Sequence, residues 1–417
     1  MSTISYLRRK DFEQFIDIVV QAYPGFRETT EEQKRKFIKR CVTEQRESPT
    51  ENYYGLYRNK KLLGGMLLHD FVMTFGSLQI PTGGVGLVAV DLLHKKEKVC
   101  KELITYFLEH YAKKNTFMSA LHPFRPDFYR KMGFGYGTKI NMYTVKPAHL
   151  PRGQSKAHIT QLTKRDIPRL LACHNRYAAK THGMFQRSSR YMQRIMEQGT
   201  KYCVGYKKRD TVLGYLLFSF TPHVTGNFVS NNLHVHEFVY ENPAVLSELF
   251  TFLHTQADQV TAIEYATHDE NFHFVPSDPR DGTDRMIVPL YHTSNEQGIG
   301  VMYRVISLKG LFKQLAQHNF NNQSCALKIT LRDTFFQENS GSTIVDFVDG
   351  KPQIKKRATY TTEITLDVSD FSSLIMGGVD FSTLQQYGLA SISNTRHTAT
   401  VDRLFRVPSK PVCMTRF

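Results

Sequence analysis

Residues 83–111, GGVGLVAVDLLHKKEKVCKELITYFLEHY, bring apolar and basic side chains together in an order that could hold an anion. Val85, Leu87, Val88, Ala89 and Val90 form a run suited to a buried strand, and Val99, Leu103, Ile104, Phe107 and Leu108 recur at helical spacing beyond it. Between them lies a short basic loop containing His94, Lys95, Lys96 and Lys98. Such a strand-to-helix loop offers free backbone N–H groups and the positive end of a helix dipole, both suited to a pyrophosphate. Taken alone, it reads equally as a solvated helix start. Downstream, FMSALHPFRPDFYRKMGFGYG (residues 117–137) predicts a strand ending near Leu121, a proline-bearing loop, and Tyr129 four residues before Gly133–Phe134. A phenol titrates a little above a thiol, so it can hand a proton to a departing thiolate. The plainer alternative for Tyr129 is an amphipathic lid on the core. Two histidine groups, His234 with His236 and His268 with Asp269 and His273, lack a third well-spaced ligand and predict surface residues; no metal is expected.

The elements that must position these residues need more than one core. At 417 residues the chain predicts two or three domains, and 41% hydrophobic with 12% aromatic residues supply the material. The six cysteines never form C-x-x-C, which predicts reduced structural thiols without zinc or disulfides. The start, MSTISYLRRKDFEQF, has no continuous apolar stretch, and no run reaches the length of a membrane span, so a soluble, cytoplasmic protein is expected. The net charge of +16 favours polyanions, and residues 1–150 hold 24 basic against 15 acidic side chains, a net of +9. Lys34, Arg35, Lys36, Lys39 and Arg40 have helical spacing and predict a solvated face. With no stacking or groove-entering motif in view, nucleic acid is not expected as a partner.

A weak internal repeat gives the organisation. Leu7, Asp11, Phe12, Phe15, Ile16 and Val19 predict a turn and an amphipathic helix with Asp11 as N-cap, and the pattern returns as Leu162, Asp166, Ile167, Leu170 and Leu171. YYGLYRNKKLLGGMLL (53–68) predicts a hairpin turning at Asn59–Lys61, and YCVGYKKRDTVLGYLL (202–217) is its counterpart. Tyr57 with Tyr206, Gly65 with Gly214 and Val90 with Val239 align at a shift of 149. These boundaries predict two α/β copies, 1–150 and 151–298, and a small α+β domain over 299–417. In the last, Leu327, Ile329 and Leu331, then Ile364, Leu366 and Val368, line strand faces, and a short helix runs from Ser369 to Gly377–Gly378. In the second copy the loop after Val239 carries Glu241 and Pro243, with no basic residue or glycine, and is expected to repel phosphate.

The strand, basic loop, helix and Y-x-x-x-G-F order resembles the GNAT acetyltransferase superfamily. The whole layout, an active-looking copy, a degenerate copy and a domain like sterol carrier protein type two, resembles the "enhanced intracellular survival" (Eis) type, down to VDRLF (401–405), Pro411 and the terminal Phe417. The resemblance implies two tandem GNAT-like domains, the second degenerate, and an acetyl-CoA-dependent N-acetyltransferase. Its acceptor would be an aminoglycoside-like amine, a polyamine or a lysine. The resemblance further implies that Val88, Ala89 and Val90 pair with the pantetheine arm and that His94, Lys95, Lys96, Glu97 and Lys98 cradle the pyrophosphate. Tyr129 would be the general acid and the free carboxylate of Phe417 the general base. The family loop Q/R-x-x-G-x-G/A here reads Lys95-Lys96-Glu97-Lys98-Val99-Cys100, with Lys98 at the first glycine. The resemblance also implies a homo-oligomer, a hexamer. The competing classes are a non-catalytic acyl-CoA sensor and a hydrophobic-ligand carrier acting through residues 299–417.

Overall fold

Asn59 and Lys60 both adopt positive φ, 49° and 64°, and so close a two-residue turn between the strands Glu51–Arg58 and Lys61–Phe75. Two successive left-handed residues match the natural twist of a hairpin, and register follows from that turn. The computed structural model describes residues 2–25, 30–197, 201–283, 285–288, 290–355 and 359–417. The chain divides into two units: residues 1–137, 301–409 and 416–417 form the first, and 138–300 with 410–415 the second.

The first unit holds a seven-stranded sheet in the order Ser2–Tyr6, Glu51–Arg58, Lys61–Phe75, Leu78–Val90, Met118–Leu121, Met302–Val305, Gly135–Tyr136. The helix Val99–Lys113 buries Val99, Leu103, Ile104, Phe107, Leu108 and Tyr111 against it. Each such side chain contributes about 1.5–3 kcal/mol by leaving water. The helix Phe12–Ala22 buries Phe12, Phe15, Ile16, Ile18 and Val19 on the same sheet. Asp11 does not cap that helix with its side chain. Its carboxylate instead accepts from Arg8 Nε at 2.7 Å and the Tyr57 hydroxyl at 2.8 Å, two stronger donors than a lone backbone N–H. The same unit contains a five-stranded sheet in the order Lys351–Lys355, Gly341–Val348, Cys325–Arg332, Thr362–Asp367, Ala390–Ile392. Leu327, Ile329, Leu331, Ile364 and Leu366 line its buried face, and Val368 begins the helix Val368–Ile375 rather than extending the strand.

The second unit has its own seven-stranded sheet: Asn295–Ile299, Lys139–Val145, Val260–Thr267, Asn231–Tyr240, Thr211–Pro222, Tyr202–Lys208, Ile159–Gln161. Lys139–Val145, within the stretch 1–150, thus pairs in the second unit's sheet. Met302–Val305, within 299–417, pairs in the first's. The helices Ile167–Ala178 and Pro243–His254 repeat the first unit's pattern. Strand pairing corrects the repeat's register from 149 to 150. Leu56 faces Gly64 as Tyr206 faces Gly214, and Gly64 faces Val90 as Gly214 faces Tyr240. The 149 alignment matched residue types, and one residue of slip moves each to the opposite face. Inside this unit Arg187 and Glu237 form a buried pair at 2.9 Å, and Tyr215 donates to the same carboxylate at 2.9 Å. Arg187 also donates to the Met414 carbonyl at 2.7 Å and to Thr415 Oγ1 at 3.2 Å. Burial pushes Glu237 up, but the Arg187 cation outweighs it and holds the carboxyl below its ordinary range. Among the described residues no helix is long and apolar enough to cross a membrane.

Candidate active site

The strands Leu78–Val90 and Met118–Leu121 run parallel for only three residue pairs, Thr82–Gly84 beside Met118–Ala120. Beyond Gly84 the first strand keeps its pairing with Lys61–Phe75 on one side only, so the two strands part. Leu87, at φ 48°, sits at a bulge between the pairs Gly65–Ala89 and Leu67–Gly86, which turns the strand's edge at the opening. A parted pair of strands leaves ladder groups for an extended ligand to meet. Of the residues expected there, the Val88 carbonyl already accepts from the Tyr23 hydroxyl at 2.8 Å. Ala89 and Val90 continue the strand toward the basic loop.

The basic loop follows directly. His94 ends a short 3-10 turn, and its Nδ1 lies 3.1 Å from Glu97 Oε2 while its Nε2 lies 3.2 Å from Lys61 Nζ. Arg58 holds the same segment by donating to the Glu97 carbonyl at 3.0 Å and to Glu102 at 2.6 Å. Glu97 is therefore a brace within the loop. Lys95, Lys96 and Lys98 are exposed and form no ion pair among the described residues. Lys96 and Lys98 stand at φ 68° and 65°, the left-handed conformation, and Lys98 serves as N-cap of Val99–Lys113 without a side-chain cap bond. Lys98 thus keeps the backbone conformation that a glycine would adopt freely, at about 1 kcal/mol. Across residues 95–101 no backbone N–H finds an acceptor among the described residues. A run of free donors, left-handed residues and uncommitted ammonium groups fits a pyrophosphate.

The second unit lacks this arrangement. Gly64 backs onto Val90 and Val99, and Gly214 backs onto Tyr240 and Val245 in the same way. Eight residues separate the first pair and four the second, so the second loop is half as long. Asn242 closes what remains: its side chain accepts from the backbone N–H of Ala244 and Val245, each at 3.1 Å. Glu241 is held by Arg176 at 2.7 Å. The histidines singled out in this unit are engaged locally, His234 with Glu264, His236 with Ser219 and His268 with the Cys413 carbonyl. Among the described residues no three ligands cluster for a metal.

Tyr129 lies in the one-turn helix Pro126–Arg130, its ring buried against Phe124, Phe128 and Phe134. Its hydroxyl makes no hydrogen bond among the described residues. Burial, reinforced by Cys100 and Tyr23, holds that phenol well above its usual range, so it stays protonated. Burial also pushes the Cys100 thiol up to about 12, which removes it as a thiolate nucleophile. Gly133 stands at φ 84°, and a β-carbon there would run into the Arg304 guanidinium. Both facts require the glycine of the Y-x-x-x-G-F pattern.

Phe417 is docked. Its ring meets Phe71 at 4.9 Å, His122 at 4.8 Å and His69 at 5.6 Å between centroids. Its carboxyl carbon lies over Gly86, only 3.0 Å from where a β-carbon would stand. His122 and Phe124 occupy one loop, the first touching Phe417 and the second Tyr129, so one short segment borders both groups. Sequence spacing missed Tyr23, His69, Gly86 and His122. The available signal was the run Gly83, Gly84, Gly86, since glycine inside a strand marks a close approach.

The sequence profile of the acetyltransferase (GNAT) domain matches residues 3–137, a second GNAT acetyltransferase profile matches 183–305, and a sterol carrier protein domain profile matches 309–414. The chain carries two GNAT acetyltransferase domains and a sterol carrier protein domain. By those domains it is an N-acetyltransferase. Among curated proteins no sequence matches it. Solved structures share the whole layout. A GCN5-related N-acetyltransferase from Anabaena variabilis ATCC 29413 superposes with a TM-score of 0.80 at 15% identity, over 100% of both chains. A probable N-acyltransferase from Enterococcus faecalis V583 gives 0.80 at 16%, and Eis1 from Mycobacterium abscessus 0.78 at 18%, each over 100% of both chains. At those identities the likeness establishes the fold. GNAT domains use acetyl-CoA as co-substrate, and the donor-lined loop at 95–101 fits its pyrophosphate.

Proposed function

We propose that this chain is an acetyltransferase of the Eis type, transferring acetyl from acetyl-CoA to an amine by direct attack. The observation that carries the reading is the terminal carboxylate seated over Gly86, at the opening where the strands Leu78–Val90 and Met118–Leu121 part. Acetyl-CoA supplies an acyl group activated as a thioester. Residues 94–98 hold its pyrophosphate through backbone N–H groups and lysine charge, and Val88, Ala89 and Val90 border its pantetheine arm. The neutral amine nitrogen forms the bond to the acyl carbon, and the Phe417 carboxylate takes the proton that this nitrogen sheds as the bond forms. As the carbon–sulfur bond breaks, the Tyr129 O–H gives its proton to the thiolate. One proton enters the carboxylate and one leaves the phenol, and exchange with solvent resets both.

In this reading residues 1–150 are the catalytic domain and 151–298 a copy without a cofactor loop. The domain over 299–417 ends in the base. The acceptor is an aminoglycoside-like amine, a polyamine or a lysine side chain, and the Eis likeness extends to a cytoplasmic homo-oligomer, which light scattering tests. Thiol release from acetyl-CoA, followed over a panel of those three amine classes, tests the activity. Turnover is expected on at least one class, with Tyr129→Phe lowering kcat by roughly 10²–10⁴-fold and leaving CoA affinity unchanged. No turnover on any class, with CoA still bound, would instead support an acyl-CoA sensor.

A further inference from the structure

Tyr129 sits on a helix of five residues, too short to hold its own geometry, so its hydroxyl must be aimed from outside. The ring packs on Phe124, Phe128 and Phe134, and a second support comes from the sterol carrier domain, 240 residues from Arg130 in the chain. Arg130, the neighbour of Tyr129, donates from Nη2 to Asp370 Oδ1 at 2.6 Å, and the Asp370 side chain is only 4% exposed. Asp370 belongs to Val368–Ile375, a helix with all eight residues buried although four of them are Ser369, Asp370, Ser372 and Ser373. Asp370 reaches the tyrosine's turn, while the Ser372 and Ser373 hydroxyls donate to the Val368 and Ser369 carbonyls of their own helix, which packs against that turn. A β-carbon on Gly135 would strike the Ser369 carbonyl and Ser373, and one on Gly133 would come within 2.8 Å of Val368 Cγ1. The Val305 N–H, on the strand that pairs with Gly135–Tyr136, donates to Ser372 Oγ at 3.0 Å. Beneath the turn, Arg304 and Asp333 pair at 2.7 Å with both side chains fully buried, and Asp333 accepts from the Phe335 and Phe336 N–H groups.

A buried carboxylate in a surface-facing clasp adds little to stability, because desolvation offsets most of its attraction to arginine. What such a pair supplies is direction. We propose that the sterol carrier domain acts in the reaction as the seat of the tyrosine turn, and that Arg130 and Asp370 are positioning residues for the Tyr129 hydroxyl. The inference rests on the reading of Tyr129 as general acid. It gives the C-terminal domain a catalytic duty beyond ending in Phe417, and one that requires no lipid cargo.

A double-mutant cycle on the full-length protein tests it. Asp370→Asn keeps the shape and removes the charge, and is expected to lower kcat about tenfold, a sub-ångström misplacement of the donor, with the KM for acetyl-CoA and the calorimetric Kd for CoA within twofold of wild type. In a Tyr129→Phe background the same change is expected to have no further effect, because the group being aimed is gone. Its effect is likewise expected to vanish with an acetyl aryl thioester whose acidic thiol leaves without a proton. Arg130→Lys retains the ion pair and is expected to keep most of the activity, whereas Arg130→Met behaves like Asp370→Asn. Losses that add to that of Tyr129→Phe, or unchanged kcat in both Asp370→Asn and Arg130→Met, overturn the seat while leaving the general acid standing. A silent Tyr129→Phe removes both.

Discussion

Gly86→Ala is the sharpest perturbation the site offers. Gly86 lies in an ordinary strand conformation, so alanine introduces no backbone strain, and its whole effect is the space its methyl takes. That methyl would stand 3.0 Å from the Phe417 carboxyl carbon, 3.5 Å from its oxygen and 3.6 Å from His69 Nε2. Carbon atoms rest at about 3.5–4.0 Å, so the carboxylate has to retreat by roughly 0.5–1 Å. The Phe417 ring cannot follow freely, held as it is among Phe71, His122 and His69. A base working at hydrogen-bond reach loses up to about 10²-fold for a 1 Å misplacement, so kcat is expected to fall about 10- to 100-fold, or roughly 1.4–2.7 kcal/mol of barrier. The assay is steady-state thiol release on the best amine, paired with calorimetric titration of CoA. The titration should be unchanged, because the donors of residues 95–101 are untouched. In a chain extended past Phe417, where the carboxylate has become an amide, Gly86→Ala should cost nothing further. Wild-type kcat in the alanine variant would refute the claim that this carboxylate acts from this place.

Calorimetry should find one CoA per chain, weakening as salt rises, because the loop at 95–101 is open and cationic while Asn242 closes its shorter counterpart; two per chain would contradict this. Acid should weaken the second unit through His174, which burial, aided by the Arg187 cation, pulls down to about 3. Below the ordinary histidine value the unfolded chain takes a proton that the folded one refuses, so stability rises with pH between about 3 and 6.5. Between pH 7 and 5 His174 alone should remove about 2 kcal/mol. Hydrogen exchange of the helix Ile167–Ala178 should show that loss in wild type and not in His174→Gln.

The parts of the fold legible in sequence are those carried by local period and turn chemistry. Asn59–Lys61, the apolar face of Val99–Lys113 and the strands Leu327–Leu331 and Ile364–Leu366 were all predictable because each is decided within a dozen residues. The repeat was visible too, but its register was off by one. Tyr57 with Tyr206 and Val90 with Val239 are matches of side-chain type, whereas the sheet aligns backbone pairs. Asp11 shows a similar limit. Its N-cap position was clear, but its carboxylate found Arg8 and Tyr57, the latter 46 residues away. Lys98 stood at the glycine position of the loop pattern, and only the backbone angle shows that it holds the glycine's conformation.

The site is harder to see in sequence because its decisive contacts are remote. Phe417 meets His69, Phe71 and Gly86, and Tyr129's turn rests on residues near 370, separations at which no periodicity speaks. One trace does survive in the sequence. A strand gains nothing from glycine, yet Leu78–Val90 carries three, and each makes room for a group from elsewhere: Gly83 for the Tyr111 ring, Gly84 for Phe71, Gly86 for the terminal carboxylate. One of those groups is a core ring, Tyr111, one is the half-buried Phe71 ring beside Phe417, and one is the proposed base, and the glycines do not distinguish them. The sequence therefore marks where something must come close to the strand. Which of the three arrivals could carry chemistry depends on its charge, and that becomes visible only when the last residue of the chain is seen lying there.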